Sequence, residues 1–89
     1  MVTIDVSSVS TERELHDLLK QELGFPNFCG RNWSAFWDAI TGLVRVPDHL
    51  RFTGWSELLD QVPEGGRELQ LQLDRYRDEY RPGLLVEYS

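Results

Sequence analysis

Apolar residues at Val2, Ile4 and Val6 alternate with polar ones, the period-two pattern of a short strand with one face toward a core, and Ser7-Ser8 then opens a turn. The period changes after residue 10. Leu15, Leu18, Leu19 and Leu23 recur at three- and four-residue intervals, and Thr11 with Glu14 has the spacing of a capping box, in which each side chain accepts from the other's backbone N–H. These predict an amphipathic helix over 11–22, ended by Gly24 and Pro26. Pro26, Asn27 and Gly30 break regular structure and predict a loop from Pro26 to Arg31. Asn32 can then cap a second helix that runs to about Thr41, with Gly42 as its C-terminal stop.

Further along, the alternating His49-Leu50-Arg51-Phe52 after Pro47 predicts a second strand, closed by Thr53-Gly54. Trp55 to Asp60 suits a short helix stopped near Pro63. Gly65-Gly66 is expected to separate it from a longer helix carrying Leu69, Leu73, Tyr76 and Tyr80. Pro82-Gly83 marks a sharp turn, and Leu84-Leu85-Val86-Glu87-Tyr88 reads as a buried strand. Strand, helix, helix, strand, helix, helix, strand is the order of an α/β fold. It predicts a single three-layer-like domain over 1–89 with a three-stranded parallel sheet and about four helices, the strands joined by right-handed crossovers.

Composition narrows what such a domain can do. At 89 residues, 40% hydrophobic, the chain has apolar material for one modest core. Fifteen acidic residues against nine basic leave a net charge of minus six, which repels nucleic acid and attracts a basic partner at long range. Direct nucleic-acid binding is therefore not expected. The single cysteine, Cys29, has no internal partner for a disulfide, which fits a reducing compartment. The N-terminus has neither a basic segment nor a long apolar one, so no leader is read there and a cytoplasmic location is expected. No apolar run is long enough to span a membrane. No cofactor motif or metal-ligand spacing is present, and neither a cofactor nor a metal is expected.

The helix from Asn32 carries the chemistry, because it has two aromatic faces where a surface helix needs one. Phe36, Ala39 and Ile40 with Leu43 fit an inward stripe. Trp33, Ser34, Trp37 and Asp38 lie at i, i+1, i+4 and i+5 on another. Tryptophans flanking a carboxylate suit a protein-protein hot spot, the indoles supplying desolvated area and the charge supplying orientation. The pattern allows equally that neighbouring elements cover both indoles and that Asp38 is an ordinary solvated charge. An enzyme would need a nucleophile with a base, and Cys29 with His16 or His49 is the only thiol-imidazole option. Both histidines are expected at the surface, His16 on the polar side of the first helix and His49 beside the second strand. No catalysis is expected.

Phe25-Pro26-Asn27-Phe28-Cys29-Gly30-Arg31-Asn32-Trp33, followed by Phe36-Trp37-Asp38, Thr41-Gly42 and Pro47, resembles the signature of the barstar family. The order of strands and helices agrees with that family along the full length. The resemblance implies an intracellular inhibitor of a barnase-type guanyl-specific microbial ribonuclease, monomeric until bound, whose 26–43 loop and helix plug the nuclease active site. It assigns Asp38 to the place of an RNA phosphate and Phe28 to stacking on the nuclease's catalytic histidine, with a phenyl ring where the family carries a tyrosine. Gly30 and Asn32 match the loop glycine and asparagine that let backbone groups approach the nuclease. Trp33 stands where the family carries a leucine.

Two departures concern specificity. Ser34 stands in place of a second helix aspartate, and Leu43 in place of an exposed tryptophan. A further acidic contact on the family's last helix falls near Arg75 when the apolar stripes are superposed, while Asp74, Asp78 or Glu79 takes it in another register. Asp74, Arg75 and Asp78 are thus candidate peripheral contacts. The alternative is a barstar-like binding module that neutralises a different toxin or serves as a regulatory partner.

Overall fold

The computed structural model describes residues 1–89. The elements follow in the order β1 (Val2–Asp5), α1 (Glu12–Leu23), α2 (Trp33–Asp38), a π turn (Ala39–Leu43), β2 (His49–Thr53), α3 (Trp55–Gln61), α4 (Pro63–Tyr80) and β3 (Leu85–Tyr88). The strands form one parallel sheet with β2 in the centre. Ile4 pairs with Phe52 and Phe52 with Tyr88, which places apolar side chains in register on one face. That face joins Leu15 and Leu19 of α1, Phe36 and Ile40 of the α2 segment, Leu58 of α3 and Leu69 and Leu73 of α4 in one apolar cluster. Thr3, Arg51 and Glu87 occupy the register row that points the other way and are exposed, so the helices pack on one face of the sheet.

Local chemistry accounts for the boundaries. Thr11 and Glu14 form the full capping box of α1, with the Thr11 Oγ1 accepting from the Glu14 N–H at 3.1 Å and the Glu14 carboxylate accepting from the Thr11 N–H at 3.2 Å. Gly24 ends the helix in the left-handed region at φ 73°. Gly54 adopts the same φ at the exit of β2, and there a side chain has no room: an added Cβ meets Ser7 Cβ at 2.4 Å and Ser7 Cα at 2.7 Å. The chain leaving β1 and the chain leaving β2 therefore touch backbone to backbone.

Three expectations are corrected. Gly65-Gly66 does not separate two helices, because α4 begins at Pro63 and both glycines are buried inside its first turns. Their missing side chains let helices approach: a Cβ on Gly65 meets Val62 Cγ1 at 2.9 Å and Leu15 Cδ2 at 3.4 Å, and one on Gly66 meets Leu59 Cδ2 at 2.8 Å. The last strand is an edge, not a buried core strand. Leu84 is buried just before it, Leu85 is 59% exposed, and Tyr88 lies half-buried, stacked on Phe52. Burial and the negative charge of Asp74 push the Tyr88 phenol well above its usual range. Gly42 is not a left-handed stop, since only Gly24 and Gly54 have positive φ, and the helix runs on through it as the π turn.

The two left-handed glycines give a paired test. Gly24→Ala meets open space and should cost about 1 kcal/mol, the expense of the backbone conformation alone. Gly54→Ala adds a clash with the Ser7 backbone and should cost about 3 kcal/mol or more in urea unfolding. Equal losses at the two positions would exclude the close crossing at Ser7 as a source of stability.

Candidate functional site

One side of α1 holds the segment that follows it. Glu12, His16 and Lys20 recur at four-residue spacing, with Asp17 beside them. The Lys20 Nζ donates to the carbonyl oxygens of Asn27 and Cys29, both at 2.9 Å. The Arg31 Nε donates to the Asp17 carboxylate, and that bond holds Asp17 below the usual carboxylate range. Inside the loop, the Cys29 N–H donates to the Pro26 carbonyl at 3.0 Å, and the Cys29 side chain is buried. With its neighbour tucked in, Phe28 points outward and is 79% exposed. The loop is thus pinned at its backbone and open at its ring.

Asn32 caps α2, its side-chain oxygen accepting from the Ala35 N–H at 2.7 Å. Phe36, Ala39 and Ile40 are buried, as the inward stripe requires. Ser34 and Asp38 are exposed, whereas Trp33 and Trp37 are half-buried, each covered on one side. The Trp33 Nε1 donates to Glu12 Oε1 at 2.7 Å, and its ring lies 4.4 Å from the His16 ring and edge-on to Phe36 at 5.3 Å. Trp37 stands edge-on to Tyr80 at 6.0 Å and carries the Arg75 guanidinium 4.3 Å from its ring centroid. Neither of the two expected alternatives, open indoles or covered ones, describes them fully.

Two residues depart from their expected surroundings. His16 is not a surface residue: it is 7% exposed beneath Trp33, and burial lowers its pKa against the opposing pull of Glu12 and Asp17. Leu43 does not join the inward stripe and is 48% exposed. The cause is the π turn. The Thr41 hydroxyl donates to the Trp37 carbonyl at 2.7 Å, and the Val44 N–H reaches back five residues to the Ala39 carbonyl at 3.0 Å. One extra residue in the turn carries Leu43 off the stripe and out to solvent.

The outer face of α2 borders two depressions. A groove of about 350 Å³ lies between α2 and α4, with Trp33, Ser34, Trp37 and Asp38 on one wall and Glu68, Gln72 and Arg75 on the other. A smaller one of about 210 Å³ is lined by Phe28, Cys29, Gly30, Ala35, Asp38 and Leu43. Asp38 belongs to both, on the ridge between them, and forms no ion pair within the chain. Of the candidate peripheral residues, only Arg75 lines the groove. Asp74 pairs with Arg77 at 3.6 Å on the side of the helix near Tyr88, and Asp78 is within 3.3 Å of the same arginine. Glu68 and Gln72 went unnoticed in the sequence, although they share one helical face with Arg75 at i, i+4 and i+7.

Elsewhere, His49 pairs with Glu87 across β2 and β3 at 2.7 Å on the exposed sheet face. No group of three His, Cys, Asp or Glu side chains is arranged to hold a metal ion, and no helix is long and apolar enough to cross a membrane.

Comparison with known proteins bears on this arrangement. The family described as Barstar (barnase inhibitor) matches over residues 1–86. A protein of Bacillus subtilis (strain 168) named "Putative ribonuclease inhibitor YrdF" is 44% identical over 46 residues, which make up 52% of this chain. The matched stretch spans half of that relative's length (50%).

The seam with α1 gives two predictions. His16 is neutral when folded and takes up a proton near pH 6.5 once unfolding exposes it, so its share of stability is complete above that pH and is lost as the pH falls. Urea midpoints should therefore drop between pH 7 and 5, and His16→Gln should flatten this part of the profile. The residual fall below pH 4.5 belongs to Asp5, Glu14 and Asp17, whose carboxylates are all held low. A wild-type profile flat from pH 7 to 5 would contradict the burial of His16. Lys20→Met should cost about 1 kcal/mol of global stability and speed amide exchange at Cys29 about tenfold. Unchanged exchange at Cys29 would show that the lysine does not hold the loop.

Proposed function

The chain belongs to the barstar family, and we propose that it is an intracellular protein inhibitor of a small secreted guanyl-specific ribonuclease of the barnase type, not an enzyme. A ribonuclease active site gathers Arg, Lys and His around an RNA phosphate, and those cations pair equally with a well-placed carboxylate. The observation that carries the reading is the position of Asp38, a carboxylate without a partner on the ridge between two depressions. It can enter a cationic site without first breaking an internal ion pair.

The surrounding residues supply the rest of a plug. Phe28 offers an exposed ring for stacking on a catalytic imidazole, and Leu43 adds apolar area beside it. Gly30 leaves the loop backbone accessible, while the cap at Asn32 fixes where the loop enters α2. Trp33 and Trp37 give the open halves of their rings, and Ser34 lines the groove beside them. Because the loop is fastened in advance by Lys20 and Arg31, little conformational entropy remains to be lost on binding. The net charge of minus six speeds the approach to a cationic enzyme and makes that speed dependent on salt.

Titration of the protein into guanyl-specific ribonucleases, with RNA cleavage as the readout, tests the reading. Asp38→Ala should weaken inhibition of the cognate enzyme by about 3 kcal/mol, because nuclease cations are left buried without a partner, while thermal stability stays nearly unchanged. Phe28→Ala should cost about 2 kcal/mol through lost stacking and apolar contact. Inhibition unaltered by Asp38→Ala would overturn the plug.

A further inference from the structure

We propose that Arg75 takes a carboxylate of the partner ribonuclease in the groove between α2 and α4, and so determines which ribonucleases the protein accepts. The proposal rests on the inhibitor reading and adds to it the chemistry of the partner's rim. Arg75 is 60% exposed, yet it is not a loose side chain. Its guanidinium lies over the Trp37 ring at 4.3 Å, and its Nε donates to Glu79 at 2.7 Å. Trp37 is itself braced by Tyr80, which stacks on Tyr76 at 5.8 Å. The Nη edge makes no hydrogen bond within the chain and remains available in the fork geometry that binds carboxylates at two points.

The rest of the groove selects the kind of anion. Glu68 and Asp38 line it, and Glu79 adjoins Arg75, so a polyanion such as RNA meets three carboxylates around one cation. A single Asp or Glu set within an otherwise cationic protein surface satisfies both signs. Polar side chains line the same space: Gln72 from α4 and Ser34 from α2. Against a uniformly cationic mouth, Arg75 is a like charge and lowers affinity.

The test uses barnase as a cationic probe, together with barnase variants that each replace one Arg or Lys around the active-site mouth by Glu. Binding is measured for the full-length wild-type chain, Arg75→Gln, Arg75→Glu and Asp38→Ala, with thermal melts to verify folding. Affinity for barnase should rise from wild type through Arg75→Gln to Arg75→Glu, by about tenfold or more across the series. One Glu-bearing barnase should bind the wild-type chain at least about tenfold better than barnase does, and that gain should vanish with Arg75→Gln. Equal barnase affinity for the three Arg75 forms, or a gain that survives Arg75→Gln, overturns the assignment. If Asp38→Ala still weakens binding in that case, the inhibitor reading stands alone. Failure of every form to bind any of the ribonucleases overturns both.

Discussion

Glu12, His16, Asp17 and Lys20 form a polar seam along α1, and the placement of everything the proposed binding face presents follows from it. The loop over residues 26–31 has no regular hydrogen-bond ladder of its own. Its carbonyls at Asn27 and Cys29 are taken up by one ammonium, and its end at Arg31 is tied to a carboxylate one helical turn away. At the start of α2, Trp33 is fastened through its indole N–H to Glu12 and through its ring to His16. A six-residue helix is too short to persist by itself. It is held from below by Phe36, Ala39 and Ile40 and from the side by this seam.

Rigidity acquired in this way has a functional meaning. Binding through a loop costs free energy in proportion to the freedom the loop loses, and in the proposed plug most of that cost falls within folding. The π turn contributes in the same direction. By shifting the frame by one residue after Asp38, it leaves Phe36, Ala39 and Ile40 inside while turning Leu43 out beside Phe28. Asp38 thereby sits between an apolar shelf on one side and a polar groove on the other.

Much of the scaffold was legible in the sequence because its signals are local. The capping box at Thr11, the left-handed Gly24, the cap at Asn32 and the period-two strands each act within a few residues, and the α/β order with a parallel three-stranded sheet follows from them. What escaped depends on contacts between distant segments. His16 sits among charged residues and reads as solvated, yet Trp33, seventeen positions later, closes over it. Gly65-Gly66 reads as a break until the neighbouring Val62, Leu59 and Leu15 show that a helix can use the missing side chains for close approach. The run Leu84 to Tyr88 is apolar enough for a core strand, but the strand order leaves it at an edge. Asp74 and Asp78 looked as eligible as Arg75 because only the rotation of α4 against α2 decides which residues face the groove, and that rotation selects Glu68, Gln72 and Arg75.

Acidity and aromatic content, as totals, misrepresent how the face is built. Its carboxylates do different work: Asp17 and Glu12 are spent inside the molecule on Arg31 and Trp33, Glu79 is paired with Arg75, and Asp38 stands unpaired. The tryptophans divide likewise, each with one half packed against the fold and the other open to the groove. Trp33 gives its N–H to the seam and an outer surface to the groove. Trp37 packs against Tyr80 and serves as the platform for a cation. Truncating either indole therefore disturbs fold and face together, whereas Phe28 and Asp38 project from supports that do not need them. Those two positions can change while the scaffold stays constant.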